Sequence, residues 1–204
     1  MARVIQFPVN PPAKLGPKKV RSRRRKPNLE DFGQLNLFDQ QVDNTPVLSL
    51  PKSASFFEEA LSLDELGKAE AEKYYLLAIQ NEESTEDALC NLGILKSNQG
   101  DFTKAIDYLT QCLKKNPRHF EAHYNLGNVY SELGNLDLAK VHYELSTEIE
   151  PDYPNSFYNL GLVLISMKKY QEAIQCINKY VDLAPSSEHQ VANELIKTLN
   201  SIAK

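Results

Sequence analysis

The tripeptide Asn-Leu-Gly occurs three times, at Asn91-Leu92-Gly93, Asn125-Leu126-Gly127 and Asn159-Leu160-Gly161, each copy 34 residues after the last. Ala105, Ala139 and Ala173 keep the same interval, as do Pro117, Pro151 and Pro185, and Phe102, Leu136 and Tyr170. Self-similarity at this period predicts a stack of like helical units, because a single unit cannot bury its apolar face and must give it to a neighbour.

Each unit explains itself physically. Leu89, Leu92 and Lys96, and one period later His123, Leu126 and Tyr130, fall on one face of a first helix. The glycine of each tripeptide lacks a Cβ and lets a neighbouring helix come close. A turn follows at Gly100-Asp101 and Gly134-Asn135, and Ala105, Leu109 and Cys112 then form the inner face of a second helix. Proline closes the unit, since it cannot continue a helix.

This pattern resembles the tetratricopeptide repeat family over residues 86–119, 120–153 and 154–187. A weaker copy covers 52–85: Ala71, Tyr75 and Ala78 fit its second helix, but Glu59 stands for the glycine and Glu83 for the closing proline. A degenerate first unit is what a terminal cap requires. After Pro185, Ser187 can N-cap a last helix running to about Ala203, with Gln190 three places on. Its Glu188, Gln190, Asn193, Glu194 and Lys197 supply a wet face. The resemblance implies an all-α, right-handed helical-repeat solenoid over residues 52–204, with about four helix-turn-helix units and a C-terminal capping helix at 187–203.

It also implies a use. In this family the first helix of each unit lines a concave groove. That assigns Asp87 and Asn91, then Glu121, Tyr124, Asn125 and Asn128, then Tyr158 and Asn159 to the groove. Asn91, Asn125 and Asn159 form a ladder. An amide offers an acceptor and two donors, so it can satisfy both groups of a peptide unit. Adjacent helices sit about 8–10 Å apart and an extended chain rises about 3.3 Å per residue, so one rung serves about every third residue. The ladder resembles that of the repeat domain of O-linked N-acetylglucosamine transferases, where it holds peptide backbone. The cationic clamp by which family members grip chaperone tails is missing: its positions hold Cys90, Ile94, Asn125, Asn155 and Asn159. With Asp87 and Glu121 nearby, an acidic tail would be repelled.

Residues 1–51 differ in character. Residues 1–29 carry nine Lys and Arg and no acidic residue, whereas all 27 acidic residues follow. Prolines at 8, 11, 12, 17, 27, 46 and 51 interrupt the segment. Such a chain is expected to be a disordered basic arm. Its densest run includes Arg21, Arg23, Arg24, Arg25 and Lys26. The run suits either a solvated tail or phosphate contacts, with nucleic acid or anionic lipid as the partner in the second case and the planar arginine donors slightly favouring nucleic acid. Within the arm, Gln34-Leu35-Asn36-Leu37-Phe38 resembles the short motif by which bacterial replication and repair proteins dock on the sliding clamp. Gln34 would bond at a rim, and Leu35, Leu37 and Phe38 would enter an apolar pocket. The same apolar residues could instead pack back on the first unit at Phe56 and Phe57.

Chemistry-bearing patterns are sparse. The sequence contains no Gly-rich phosphate loop, nucleophile elbow or zinc-finger spacing. His119 and His123 share a helix face without a third ligand, so no metal and no cofactor is expected. Cys90, Cys112 and Cys176 are an odd set of reduced thiols. No run approaches the length of a membrane span, and no apolar core of a secretory signal follows the N-terminus. The expectation is a non-catalytic cytoplasmic adaptor, nuclear in a eukaryote, whose groove takes a segment of another protein.

Overall fold

The computed structural model describes residues 13–21 and 55–202. The described residues form nine α-helices and no strand. They divide into two compact units, one of residues 21–83 and one that joins residues up to Val20 with 84–204.

The larger unit contains α3 (Thr85–Asn98), α4 (Phe102–Lys115), α5 (Phe120–Glu132), α6 (Leu136–Ile149), α7 (Pro154–Ser166), α8 (Tyr170–Leu183) and α9 (His189–Ile202). Within each repeat the two helices pack together, α3 on α4, α5 on α6, α7 on α8. Each second helix then meets the next repeat, α4 on α5, α6 on α7, α8 on α9. The first helices α3, α5 and α7 also touch in series. This serial packing is a helical-repeat solenoid, as the 34-residue period predicts.

The glycine of each Asn-Leu-Gly sits at the tightest crossing. A Cβ on Gly127 would lie 2.7 Å from the Tyr143 ring, one on Gly93 2.5 Å from Leu109, and one on Gly161 2.5 Å from Ile177. Leu109, Tyr143 and Ile177 are themselves 34 apart and fully buried, so the period extends to the partner of each glycine. Asp101 and Asn135 N-cap α4 and α6, accepting from the amides of Lys104 and Leu138. Gly100 and Gly134 before them adopt φ +79° and +73°. One period later the same left-handed conformation falls on Lys168, at φ 62°.

The capping helix begins later than its sequence signature implies. Ser186–Glu188 form a single 3-10 turn and α9 starts at His189. Tyr180 donates to Glu188 and the His189 ring meets the Ala184 carbonyl, which holds the turn against α8. Ala192, Leu195 and Leu199 are the buried face of α9.

The smaller unit is a helical hairpin of α1 (Phe56–Glu65) and α2 (Ala71–Gln80), shorter than the later pairs. Ser55 and Glu58 form a capping box at its start. Phe57 packs on Tyr75, and Phe56 on Tyr74. Glu83, where later units have proline, accepts the Phe56 amide at 2.8 Å.

Candidate functional site: an asparagine ladder holding residues 14–20

The site follows from register. Asn91, Asn125 and Asn159 each precede the crossing glycine by two residues, so they project from α3, α5 and α7 on the side away from the second helices. An extended stretch of the chain's own N-terminal region lies across them. Asn159 accepts from the Leu15 amide and donates to the Leu15 carbonyl, both at 2.9 Å. Asn125 does the same for Lys18, at 3.0 and 2.9 Å. Asn91 does so for Val20, at 2.9 Å in both directions. Each amide thus satisfies both polar groups of one residue. The rungs take residues 15, 18 and 20, intervals of three and two, and the segment runs from α7 toward α3.

Side chains add contacts of their own. The Tyr124 hydroxyl lies 3.0 Å from the Leu15 carbonyl and 2.9 Å from that of Gly16. Lys14 donates to the Asn128 carbonyl at 2.9 Å and to Glu132 at 2.7 Å. The Lys18 ammonium sits over the Tyr153 ring, 5.2 Å from its centroid. Val20 is buried at 2% exposure, and Leu15 packs partly buried on the apolar cluster of the last repeats.

A second layer fixes the ladder. The Asn128 side chain accepts from Tyr143 at 2.6 Å and from Asn159 at 3.0 Å, so its amide orients the rung while its backbone carbonyl takes Lys14. Asn159 also donates to the Tyr124 hydroxyl, and Asn125 to the Cys90 sulfur at 3.7 Å. Burial pushes the Tyr124 and Tyr143 hydroxyls far above their ordinary range, which keeps both as donors. The Tyr158 ring lies against Tyr180 of α8, 4.9 Å between centroids.

Asp87 and Glu121 are engaged by His119. The ring Nε2 lies 3.0 Å from Asp87, while Nδ1 is 3.2 Å from the Ala122 amide and 3.4 Å from Glu121. As imidazole, Nδ1 accepts from the amide; as imidazolium it donates to the carboxylate. Burial opposes the charge, but the bond to Asp87 and the closeness of Cys112 and Glu121 prevail and raise His119 to about 9. The buried Cys90 thiol is pushed up by desolvation, with Cys112 adding to it.

The structure therefore brings Asn91, Asn125, Asn159 and Tyr124 together on one backbone, with Asn128 behind them and Asp87 and Glu121 at a neighbouring junction. Arg21 is exposed, its guanidinium 4.0 Å from Glu65. Arg23, Arg24, Arg25 and Lys26, and likewise Gln34, Leu35, Leu37 and Phe38, lie outside the described residues. Sequence reasoning did not place Lys14, Leu15, Lys18, Val20 or Tyr153 in the groove. The available signal was Leu15 and Val20, two apolar residues in a basic stretch, with Pro17 between them already set for an extended backbone.

Residues 98–155 and 154–187 each match a family model described as tetratricopeptide repeat. Among curated relatives, protein O-mannosyl-transferase Tmtc3 of Drosophila melanogaster is 27% identical over 130 residues, 63% of this chain and 14% of the relative. BBSome complex member BBS4 of Bos taurus is 27% identical over 111 residues, 54% of this chain and 21% of the relative. The chain thus spans a minor part of these longer proteins. Among solved structures, MamA 41-end from Desulfovibrio magneticus RS-1 superposes with a TM-score of 0.58 at 23% identity, covering 72% of this chain and 93% of that one. The first TPR of Spaghetti (RPAP3) bound to HSP90 peptide SRMEEVD gives a TM-score of 0.53 at 22% identity, covering 58% and 96%. These two likenesses concern the fold. The 34-residue period, the glycine-spaced crossings, the serial packing of helix pairs and both family matches agree that the chain is a tetratricopeptide repeat protein.

Proposed function

We propose that the chain is a non-catalytic interaction adaptor whose groove, lined by α3, α5 and α7, receives an extended segment of another protein through the asparagine ladder. The carrying observation is the ladder's engagement with residues 15, 18 and 20, six hydrogen bonds that all go to backbone. Backbone contacts carry no sequence requirement, so a segment supplied in trans can use the same rungs. Repeats of this family typically serve as interaction scaffolds, and the HSP90-peptide complex among the structural neighbours fits such a role. The chemistry of the ligand differs from that acidic peptide. Here the occupant is basic, with Lys14 on Glu132 and Lys18 on an aromatic face.

The test uses the isotope-labelled full chain and an unlabelled peptide of residues 13–21. A tethered segment competes at an effective concentration on the order of millimolar. Millimolar peptide should therefore move the Leu15, Lys18 and Val20 amides of the chain toward their free signals. Asn125→Ala should release the Lys18 amide first, with little change in helicity. Unchanged amides at about ten times that effective concentration would argue against a groove that takes segments in trans.

A further inference from the structure

Residues 14–20 do not fill the groove. Beside the exposed Gly16 and Pro17 a cavity of about 360 Å³ remains open, lined by Ile94, Phe102, Leu109 and Val129 together with polar groups that include Ser97, Asn98 and Glu132. A Cβ placed on Gly16 would meet no atom within 4 Å, and the Gly16 backbone does not need the left-handed conformation. The position thus accepts a side chain without strain. The stretches on either side are anchored through Lys14 and Leu15 on one side and Lys18 and Val20 on the other. Position 16 is therefore held beside the cavity, whose lining offers an apolar patch of Ile94, Phe102, Leu109 and Val129 among polar groups.

We propose that this cavity is a side-chain subsite of the groove, and that the segment received from another protein carries a large apolar residue where this chain has Gly16. This rests on the groove's taking segments in trans. The ligand class is an extended protein segment with a lysine that reaches Glu132, an apolar residue on the Asn159 rung, a large apolar residue in the subsite, and a second cation for the Tyr153 face. The chain's own segment matches this description except at the subsite. It is a resident occupant that excludes weak ligands and yields to one that fills the cavity. A second copy of this chain would offer the same glycine and gain nothing over the tethered segment.

The experiment is displacement from the labelled full chain by three peptides of residues 13–21: the native sequence, Gly16→Ala and Gly16→Leu. All compete with the same tethered segment, so the ratio of half-displacement concentrations reports the subsite alone. The Leu peptide should displace at a concentration about tenfold or more below the native one, as expected for burying a leucine side chain. The Ala peptide should stay within about threefold of native, because its methyl restricts the backbone without filling the cavity. Equal displacement by Leu and native, or by Leu and Ala, overturns the subsite while leaving trans binding intact. If no peptide displaces, the adaptor reading fails, and the subsite is judged in the full-length Gly16→Leu chain. There, slowing of Lys18 and Val20 amide exchange by about tenfold supports it, since a bound side chain lowers the opening of its segment. Unchanged exchange refutes it.

Discussion

At the scale of single residues, two histidines give the repeats a measurable pH dependence. The His123 and His142 rings face each other with Nδ1 atoms 3.1 Å apart, and Tyr130 stacks on His142. Two imidazolium ions cannot share that geometry. Burial, then the neighbouring ring, lowers His142 to about 4, and burial also lowers His123, with His119 adding repulsion. The unfolded chain therefore takes up protons first, at about 6.5. Stability should fall as pH drops from about 6.5 toward 4. Thermal melts across that range should slope less for His142→Phe, which keeps the stacking and loses the charge. His119 acts with the opposite sign: its contribution is complete below about 6.5 and is lost as pH rises through about 9. Melts of His119→Gln should accordingly flatten the alkaline side.

At the scale of elements, the helix crossings and the turns can be probed separately. Gly127→Ala drives a methyl into the Tyr143 ring, which is fully buried and hydrogen-bonded to Asn128. Gly161→Ala meets first the Cδ1 end of Ile177, a flexible chain that can turn aside. Denaturant melts should show a loss of about 1–3 kcal/mol for Gly127→Ala and a smaller one for Gly161→Ala. The turn after α7 invites the reverse change. Lys168 adopts the left-handed conformation that Gly100 and Gly134 fill in the earlier repeats. Lys168→Gly should stabilise by about 0.5–1 kcal/mol, the relief of the Cβ penalty less the added freedom of the unfolded chain. A destabilised variant would mean that Lys168 makes contacts that outweigh its backbone strain.

At the scale of the whole molecule, the resident segment and the repeats contribute separably. All nine described helices lie between Phe56 and Ile202, so deleting residues 1–21 should leave the helical circular dichroism unchanged. The deletion uncovers Asn91, Asn125 and Asn159, now at most 2% exposed, and removes the apolar cover of Leu15 and Val20. The melting temperature should drop by about 2–8 °C, the shift expected for one to two kcal/mol in a chain of this size. A coil spectrum would instead make the segment part of the folding core.

The sequence by itself determined the solenoid and the ladder. A period of 34 residues places glycine against a large buried side chain three times over, and alanines and prolines share the interval. Asn91, Asn125 and Asn159 were expected in the groove from the resemblance to the repeat family, and helical register is what turns them away from the second helices. What covers them was not legible. Residues 14–20 form no internal helix or strand, so no local periodicity marks them, and their order comes from partners 71 to 144 residues away. The side chain of Asn128 also braces the ladder, because Tyr143 and Asn159 reach it only once α5, α6 and α7 are packed, while its backbone carbonyl meets Lys14 of the segment. Local pattern sets the direction of a side chain; which group arrives to meet it is decided by tertiary structure, where contacts distant in sequence offset the entropy of an otherwise free segment.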